Sequence, residues 1–277
     1  MAIKDLLVHV DNSKSSPLRL KTAINLTNAW NAKLTGIYVL SEPYMPSYIG
    51  IQINSEILEA QTEKMKSSCK EAQVAFRDAT NASGVNAEWR VVEDSTAEGL
   101  AIQSRYFDLA IVGQTNPEEN RIIDGREMPD CLILTSGLPV LVIPYVGEFD
   151  TIGKNIMIAW DAGQQAGRAV HDALPLLRGA EKVTVMVVNP KGGPEGTGDL
   201  PGADIALHLS RHGVVAEADH ILSDLDPGDV LLNHVADKGI DLIVMGAYGH
   251  ARWAELVLGG VTKHILQHMT VPVLMAH

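Results

Sequence analysis

The sequence predicts an α/β protein made of two tandem, doubly wound, Rossmann-like parallel-sheet domains. Short apolar segments alternate with amphipathic helical segments, and this alternation is typical of parallel strands that helices cover on both faces. The chain has 277 residues, which is more than one domain of ordinary size contains. The second half also repeats the order of the first, so the same β/α unit occurs twice.

Each copy of the repeat begins with an apolar strand that ends in an aspartate. Residues 6–11 (LLVHVD) correspond to residues 156–161 (IMIAWD). After each aspartate, a polar turn leads into an amphipathic helix and then into a second apolar strand, at residues 36–40 and 183–188. We expect any ligand to lie beyond the carboxyl ends of these strands, where the strand order reverses.

The last strands of the two copies also correspond. Residues 107–113 match residues 240–246, and residues 138–143 match residues 271–275, with one constant offset. Each final strand carries a proline near its start and would leave a sheet edge exposed. We therefore predict that the two final strands pair across a two-fold-like axis, which makes the chain an intrachain pseudo-dimer.

The copies join near residues 145–153, which gives predicted domains at residues 1–147 and 152–277. They differ after the second strand. The first copy inserts residues 41–52, and the second carries a glycine- and proline-rich segment at residues 189–202. That segment is either a flexible connector or a lid over a ligand. The apolar side chains of the first insertion are a candidate surface for homodimer contact: Tyr44, Met45 and Tyr48.

Composition restricts the compartment and the partners. The formal charge is −12, with 34 acidic and 22 basic residues, and it argues against nucleic-acid and anionic-membrane partners because the electrostatic term would be repulsive. Cys69 and Cys131 are the two cysteines, which is typical of a reducing compartment. The sequence shows no signal-peptide pattern and no long apolar span, so we expect a soluble, cytoplasmic protein.

A glycine-rich segment after the fourth strand of the second copy is typical of a phosphate-binding loop. Gly246 and Gly249 bracket a turn at the end of the strand, and Gly259 and Gly260 stand where the next helix begins. The first-turn N–H groups of that helix would be unpaired donors, and the Thr262 hydroxyl adds one more. The alternative is that the glycines only form turns and allow close helix packing.

Asp161 follows the first strand of the second copy and is the candidate partner of this loop. Its carboxylate would lie beside the loop across the switch point, where it can accept hydrogen bonds from a ribose or an adenine amino group. The alternative role is that of an N-cap for the following helix. The two roles are compatible.

With these residues, the second copy resembles a universal stress protein domain, whose nucleotide signature is Gly, two residues, Gly, nine residues, Gly, then Ser or Thr. The resemblance implies that ATP binds there, with Mg²⁺ as its counter-ion. Gly260 departs from the signature, since the family has Ser or Thr at this position. The residues that the resemblance implies for the site are Asp161, Val187, Val188, Met245, Gly246, Gly249, Gly259, Gly260, Val261 and Thr262.

The first copy resembles the family in its order of strands and helices, but it lacks the glycine signature. Asn116 and Arg126 stand at the second and third glycine positions, although Asp11 is retained. Three acidic side chains of this segment would repel phosphate: Glu118, Glu119 and Asp124. The resemblance therefore implies a tandem universal stress protein in which only the second copy keeps a nucleotide site.

Three functions are compatible with these residues. The first is an ATP-binding stress-response or signalling protein whose bound state a protein partner recognises. The second is an interaction scaffold without a nucleotide. The third is a slow ATPase that uses His250 or the loop around Lys191, although no catalytic base is evident. The chain lacks the Walker loop and the Gly-x-Gly-x-x-Gly fingerprint after a first strand, so we expect neither flavin nor NAD.

Two histidine pairs have the i, i+4 spacing that permits two imidazoles to share a metal. The pairs are His208 with His212 and His264 with His268. No third ligand is evident in the sequence near either pair, and zinc needs three or four ligands. We therefore expect these histidines to lie on solvated helix faces, with no metal site.

Overall fold

The computed structural model describes residues 2–40, 55–93, 97–119, 128–190, 200–249 and 260–277. The strands in these ranges are β1 (Asp5–His9), β2 (Lys33–Leu40), β3 (Ala87–Glu93), β4 (Leu109–Gly113), β5 (Val140–Ile143), β6 (Asn155–Ala159), β7 (Lys182–Val188), β8 (Ala216–Ile221), β9 (Leu242–Gly246) and β10 (Val273–Ala276). The helices are α1 (Ser16–Trp30), α2 (Ser55–Ser83), α3 (Ala97–Ser104), α4 (Met128–Thr135), α5 (Gln164–Leu177), α6 (Ala203–Arg211), α7 (Pro227–Lys238) and α8 (Gly260–His268).

The described strands form one sheet of ten strands in the order β3-β2-β1-β4-β5-β10-β9-β6-β7-β8. Neighbours run parallel within each half. At the centre β5 and β10 run antiparallel, with Leu141 opposite Leu274 and Val142 opposite Val273. The predicted fold class and the predicted pairing of the final strands are confirmed.

The apolar strands alternate their side chains between two layers of core. Leu6 and Val8 are fully buried on the face that α1, α2 and α5 cover, and Leu7 is fully buried on the opposite face. Each layer contains residues of both halves, because the sheet continues through β5 and β10. The two halves therefore fold around a shared sheet.

Several sequence expectations fall outside the described residues. The insertion that carries Tyr44, Met45 and Tyr48 is one of them, so the homodimer contact stays a prediction. Of the glycine- and proline-rich segment, residues 191–199 also lie outside the described ranges. Cys69 and Cys131 are both buried. None of the described helices has the length and apolarity needed to cross a membrane.

Candidate functional site

The expected site residues gather where three adjacent strands of the C-terminal half end. In the strand register, Ala159 of β6 pairs with Met186 of β7 on one side and with Met245 of β9 on the other. Asp161 follows β6 by two residues, and Gly246 is the last residue of β9. Because all three strands are parallel, these positions share one edge, at the switch point between β6 and β9.

Gly246 allows the first turn of α5 to pack against the end of β9. A Cβ added at Gly246 would lie 2.4 Å from the backbone nitrogen of Ala166, a distance that no side chain tolerates. At Gly249, an added Cβ would lie 3.0 Å from Oε1 of Gln165, which is the far end of a flexible side chain. The packing role is thus observed for Gly246. At Gly249 the nearest atom belongs to the flexible side chain of Gln165, which can move away.

The described part of the helix that follows the glycine loop begins at Gly260. Gly260 is exposed, and a Cβ added there would meet no described heavy atom within 4 Å. The first-turn N–H groups of α8 have no partner within the helix, so this end carries partial positive charge. Gly259 and His250 lie outside the described residues.

Thr262 makes a contact that was not expected. Its side chain is only 4% exposed, and its Oγ1 accepts a hydrogen bond from the backbone N–H of Tyr248 at 3.2 Å. Tyr248 has a left-handed backbone, with φ of 59°. The Thr262 hydroxyl therefore stabilises the turn at Tyr248, and its contact with a phosphate stays a prediction.

Asp161 is exposed and also stabilises the local backbone. Its Oδ1 accepts a hydrogen bond from the N–H of Gly163, the N-cap residue of α5, at 2.8 Å. The alternative interpretation of Asp161 as the N-cap is wrong, because Gly163 is the N-cap of α5 and the Asp161 carboxylate binds within the turn before the helix. The side chain of Asp161 is exposed at this edge.

The remaining expected residues differ in what they can offer. Val187 is 2% exposed and Met245 is 5% exposed, so both side chains belong to the core. Val188 and Val261 are half-buried. A ligand at this edge would contact Val187 and Met245 through the main chain.

The N-terminal half contains a cavity of about 410 Å³ at the corresponding edge of its sheet. Its polar lining includes Asp11 and Arg19, and the guanidinium of Arg19 is 3% exposed. The Arg19 Nη2 donates to Oδ1 of Asp11 at 2.9 Å, and its Nε donates to the carbonyl oxygen of His9 at 2.7 Å. Sequence reasoning missed Arg19, although its spacing from Ser16, Leu20 and Ala23 places it on the buried face of α1.

The Arg19 guanidinium changes the electrostatics of this cavity. Burial alone would raise the pKa of Asp11, but the charge of Arg19, with smaller contributions from His9 and Ser13, holds that pKa well below its usual range. A Cβ at Gly113 would lie 2.1 Å from the Arg19 Nη1. Ala169 occupies the corresponding position in α5. The N-terminal carboxylate is thus engaged by a cation of the chain, whereas Asp161 in the C-terminal half is exposed.

The two halves also contact each other next to the glycine loop. The Tyr248 hydroxyl donates to Oδ1 of Asp130 in α4. The Gln114 Nε2, beyond the end of β4, donates to the carbonyl oxygen of Leu266 in α8 at 2.9 Å. No local sequence pattern indicates these bonds, because each joins residues more than a hundred positions apart.

Comparison with known proteins agrees with this geometry. The sequence profile of the Universal stress protein family matches residues 153–277, which include β6 to β10 and the glycine loop. Residues 153–277 therefore form a domain of the universal stress protein family. The resemblance inferred from the glycine spacing is therefore confirmed.

The relatives extend this result along the chain. A universal stress protein of Synechocystis is 30% identical over 178 residues, which are 61% of this chain and 57% of the relative. The chain thus matches little more than half the length of that protein. A universal stress protein of Mycolicibacterium smegmatis is 22% identical over 284 residues, covering 97% of this chain and 95% of the relative.

A solved structure shows that the whole architecture occurs elsewhere. The crystal structure of a universal stress protein from Archaeoglobus fulgidus superposes with a TM-score of 0.76, covering 98% of this chain and 95% of that chain. The sequence identity is 17%, so this likeness concerns the fold. The tandem α/β architecture of this chain therefore also occurs in a protein of known structure.

Proposed function

We propose that the C-terminal half of this chain binds ATP, and that a protein partner recognises the bound state in a stress response or in signalling. The observation that carries the proposal is the hydrogen bond from the N–H of Tyr248, two residues beyond the end of β9, to Thr262 in the first described turn of α8, which brings this end of the helix to the strand edge that also carries the exposed Asp161. A helix start offers N–H donors and partial positive charge to a phosphate. The Asp161 carboxylate offers acceptors for the nucleoside.

The residues at this edge are compatible with a polyphosphate despite the acidic character of the chain. The formal charge is −12, so general electrostatic attraction does not bring an anion to this surface. Backbone N–H groups at the loop and at the helix start hold phosphate locally, with Mg²⁺ as the counter-ion of the nucleotide. In the N-terminal half, the ion pair of Arg19 with Asp11 already occupies the corresponding carboxylate.

We propose binding without a chemical step. Hydrolysis requires a positioned water and a group that neutralises charge on the transferred phosphoryl group. The slow ATPase alternative depends on His250 or Lys191, which lie outside the described residues. The scaffold alternative predicts no nucleotide binding at all, so one titration separates it from our proposal.

The test is calorimetric titration of the purified chain with ATP and Mg²⁺. We expect one equivalent to bind the wild type, and Gly249→Val to weaken binding at least about tenfold, a loss of about 1.4 kcal/mol. The added side chain would face the adjustable end of Gln165, so the fold is retained. Asn116→Val is the matched control, because Asn116 takes the place of Gly249 in the N-terminal half.

The outcomes are distinguishable. Unchanged affinity in Asn116→Val together with loss in Gly249→Val supports the proposal. Absence of binding by the wild type at millimolar ATP contradicts it and favours the scaffold. Phosphate release above background by the wild type, abolished in Gly249→Val, would instead establish the ATPase.

A further inference from the structure

Two aspartates and a histidine meet where α7 contacts α8 in the C-terminal half. Asp226 is the N-cap of α7, Asp229 lies in the first turn of α7, and His264 lies on α8. One potential ligand atom from each of the three side chains lies within 4.8 Å of the other two. The His264 Nε2 is 2.9 Å from Oδ1 of Asp229. The sequence interpretation found no third ligand for this histidine, because α7 and α8 are far apart in the chain.

The packing of the two helices fixes the His264 ring in place. A Cβ added at Gly228 would lie 2.6 Å from Cδ2 of His264 and 3.0 Å from its Cγ. The ring therefore rests directly on the backbone of α7, and only glycine leaves room for it there. A ligand ring held in this way is oriented before an ion arrives.

The atoms of the cluster retain capacity for a further partner. The His264 Nε2 is buried and makes no hydrogen bond with the described groups, because the Asp229 oxygen lies at ion-pair distance without hydrogen-bond geometry. The Oδ1 of Asp226 caps the helix by accepting from the N–H of Gly228 at 2.8 Å. Its second carboxylate oxygen is not used by that bond. The His264 side chain is 26% exposed, and its Nε2 lies 2.9 Å from the Asp229 oxygen, so an ion would bind between groups that are already close together.

The other histidine cluster of this half lacks the same convergence. His171, His208 and His212 place their rings 5.2 Å and 4.6 Å apart, from centroid to centroid, along the contact of α5 with α6. In the described part of the chain, the ligand atoms of these three imidazoles do not come within 4.8 Å of one another. This cluster is therefore a useful control for metal binding, because it has more imidazoles but its ligand atoms lie farther apart.

We propose that Asp226, Asp229 and His264 bind a divalent transition-metal ion of the Zn²⁺ class. One imidazole nitrogen and two carboxylate oxygens are ligands that Zn²⁺ accepts, and water completes the four-coordinate shell. The ion fastens the first turn of α7 to α8, the helix that begins at Gly260. The site is separate from the proposed ATP site, and its existence does not depend on ATP binding.

The test uses the full chain, freed of metal with EDTA and titrated with Zn²⁺ by calorimetry and with Co²⁺ by visible absorption. We expect one equivalent of each ion, with the absorption of four-coordinate Co²⁺. His264→Gln abolishes the absorption. Asp229→Asn, at an exposed position that leaves the ring in place, weakens Zn²⁺ binding at least tenfold. His208→Gln is the matched control and keeps full binding.

Far-UV circular dichroism of each variant in EDTA establishes that the fold is intact. The proposal is overturned if the wild type binds no stoichiometric Zn²⁺, or if His264→Gln binds it as the wild type does. Loss in His208→Gln with retention in His264→Gln would assign the ion to the other histidine cluster, and this also overturns the proposal.

Discussion

The Tyr248 hydroxyl donates a hydrogen bond to Oδ1 of Asp130, although 118 positions separate the two residues. Tyr248 belongs to the glycine loop of the C-terminal half and is 3% exposed, and Asp130 lies in the first turn of α4 in the N-terminal half. The position of Tyr248 is therefore coupled to the half that lacks the signature. A ligand that rearranges the loop would act on this bond.

Removal of the Tyr248 hydroxyl tests how much this bond contributes to stability. We expect Tyr248→Phe to lower the free energy of unfolding by about 1–3 kcal/mol, because a buried carboxyl group loses a hydrogen-bond donor. Urea denaturation measures the difference. Tyr106→Phe is the control, since Tyr106 is 77% exposed, and equal stability of the two variants would contradict the expectation.

A hydroxyl at position 260 restores the family signature at the start of α8. We expect Gly260→Ser to bind ATP roughly tenfold more tightly than the wild type, because a hydrogen bond to a charged group contributes about 1.5–3 kcal/mol. The added side chain meets no described heavy atom within 4 Å, so the fold accommodates it. Gly260→Ala is the control without a hydroxyl. Calorimetry that gives equal affinities for the Ser and Ala variants would refute this role of the hydroxyl.

Gly246 is needed for packing, whereas Gly260 is not. We expect Gly246→Ala to lower the free energy of unfolding by about 1–3 kcal/mol, because its Cβ overpacks the site and pushes α5 away from the end of β9. Gly260→Ala should change the free energy of unfolding by less than about 1 kcal/mol or raise it. Thermal unfolding monitored by circular dichroism compares the two. A Gly246→Ala variant as stable as the wild type would contradict the expectation, because it would mean that α5 can move without loss of stability.

The ion pair of Asp11 with Arg19 predicts a dependence of stability on acid. The folded state lowers the pKa of Asp11, because the charge of Arg19, together with His9 and the hydrogen bonds from Ser13, outweighs the effect of burial. The pair therefore stabilises the fold above the pKa of an unfolded aspartate, about 3.9, and this contribution is lost as the pH falls through the lower folded pKa.

We accordingly expect the free energy of unfolding to fall less steeply with acid in Asp11→Asn than in the wild type, below about pH 5. The difference should persist in about 1 M salt, because Arg19 is buried and its pair is screened little. Urea titrations at several pH values measure both slopes. Identical slopes would mean that another carboxylate carries the effect.

The sequence predicted the features that depend on local pattern. Alternating apolar segments indicated the strands, and the repeat indicated that β5 and β10 would pair, because each copy would otherwise leave an edge open. The glycine spacing indicated the domain family of the second copy. These inferences succeed because strand burial and glycine geometry are encoded within a few neighbouring residues.

The contacts that the sequence did not reveal depend on distant residues. Thr262 was expected to face phosphate, and the left-handed turn at Tyr248 also brings a backbone N–H to its hydroxyl. The pairing of Asp229 with His264 requires the packing of two helices, and composition alone cannot encode it. The sequence shows the chemical type of each of these side chains, but it does not show which distant residues they contact.

The antiparallel contact of β5 with β10 has a consequence for solubility. It leaves β3 and β8 as the outermost strands of the described sheet, and an open strand edge can recruit further chains into an aggregate. Both carry ionic side chains along their length, among them Glu88 and Arg90 on β3 and Glu217 and Asp219 on β8. A second chain that paired there would have to desolvate these charges. The charged edge strands of the ten-stranded sheet therefore disfavour edge-to-edge aggregation.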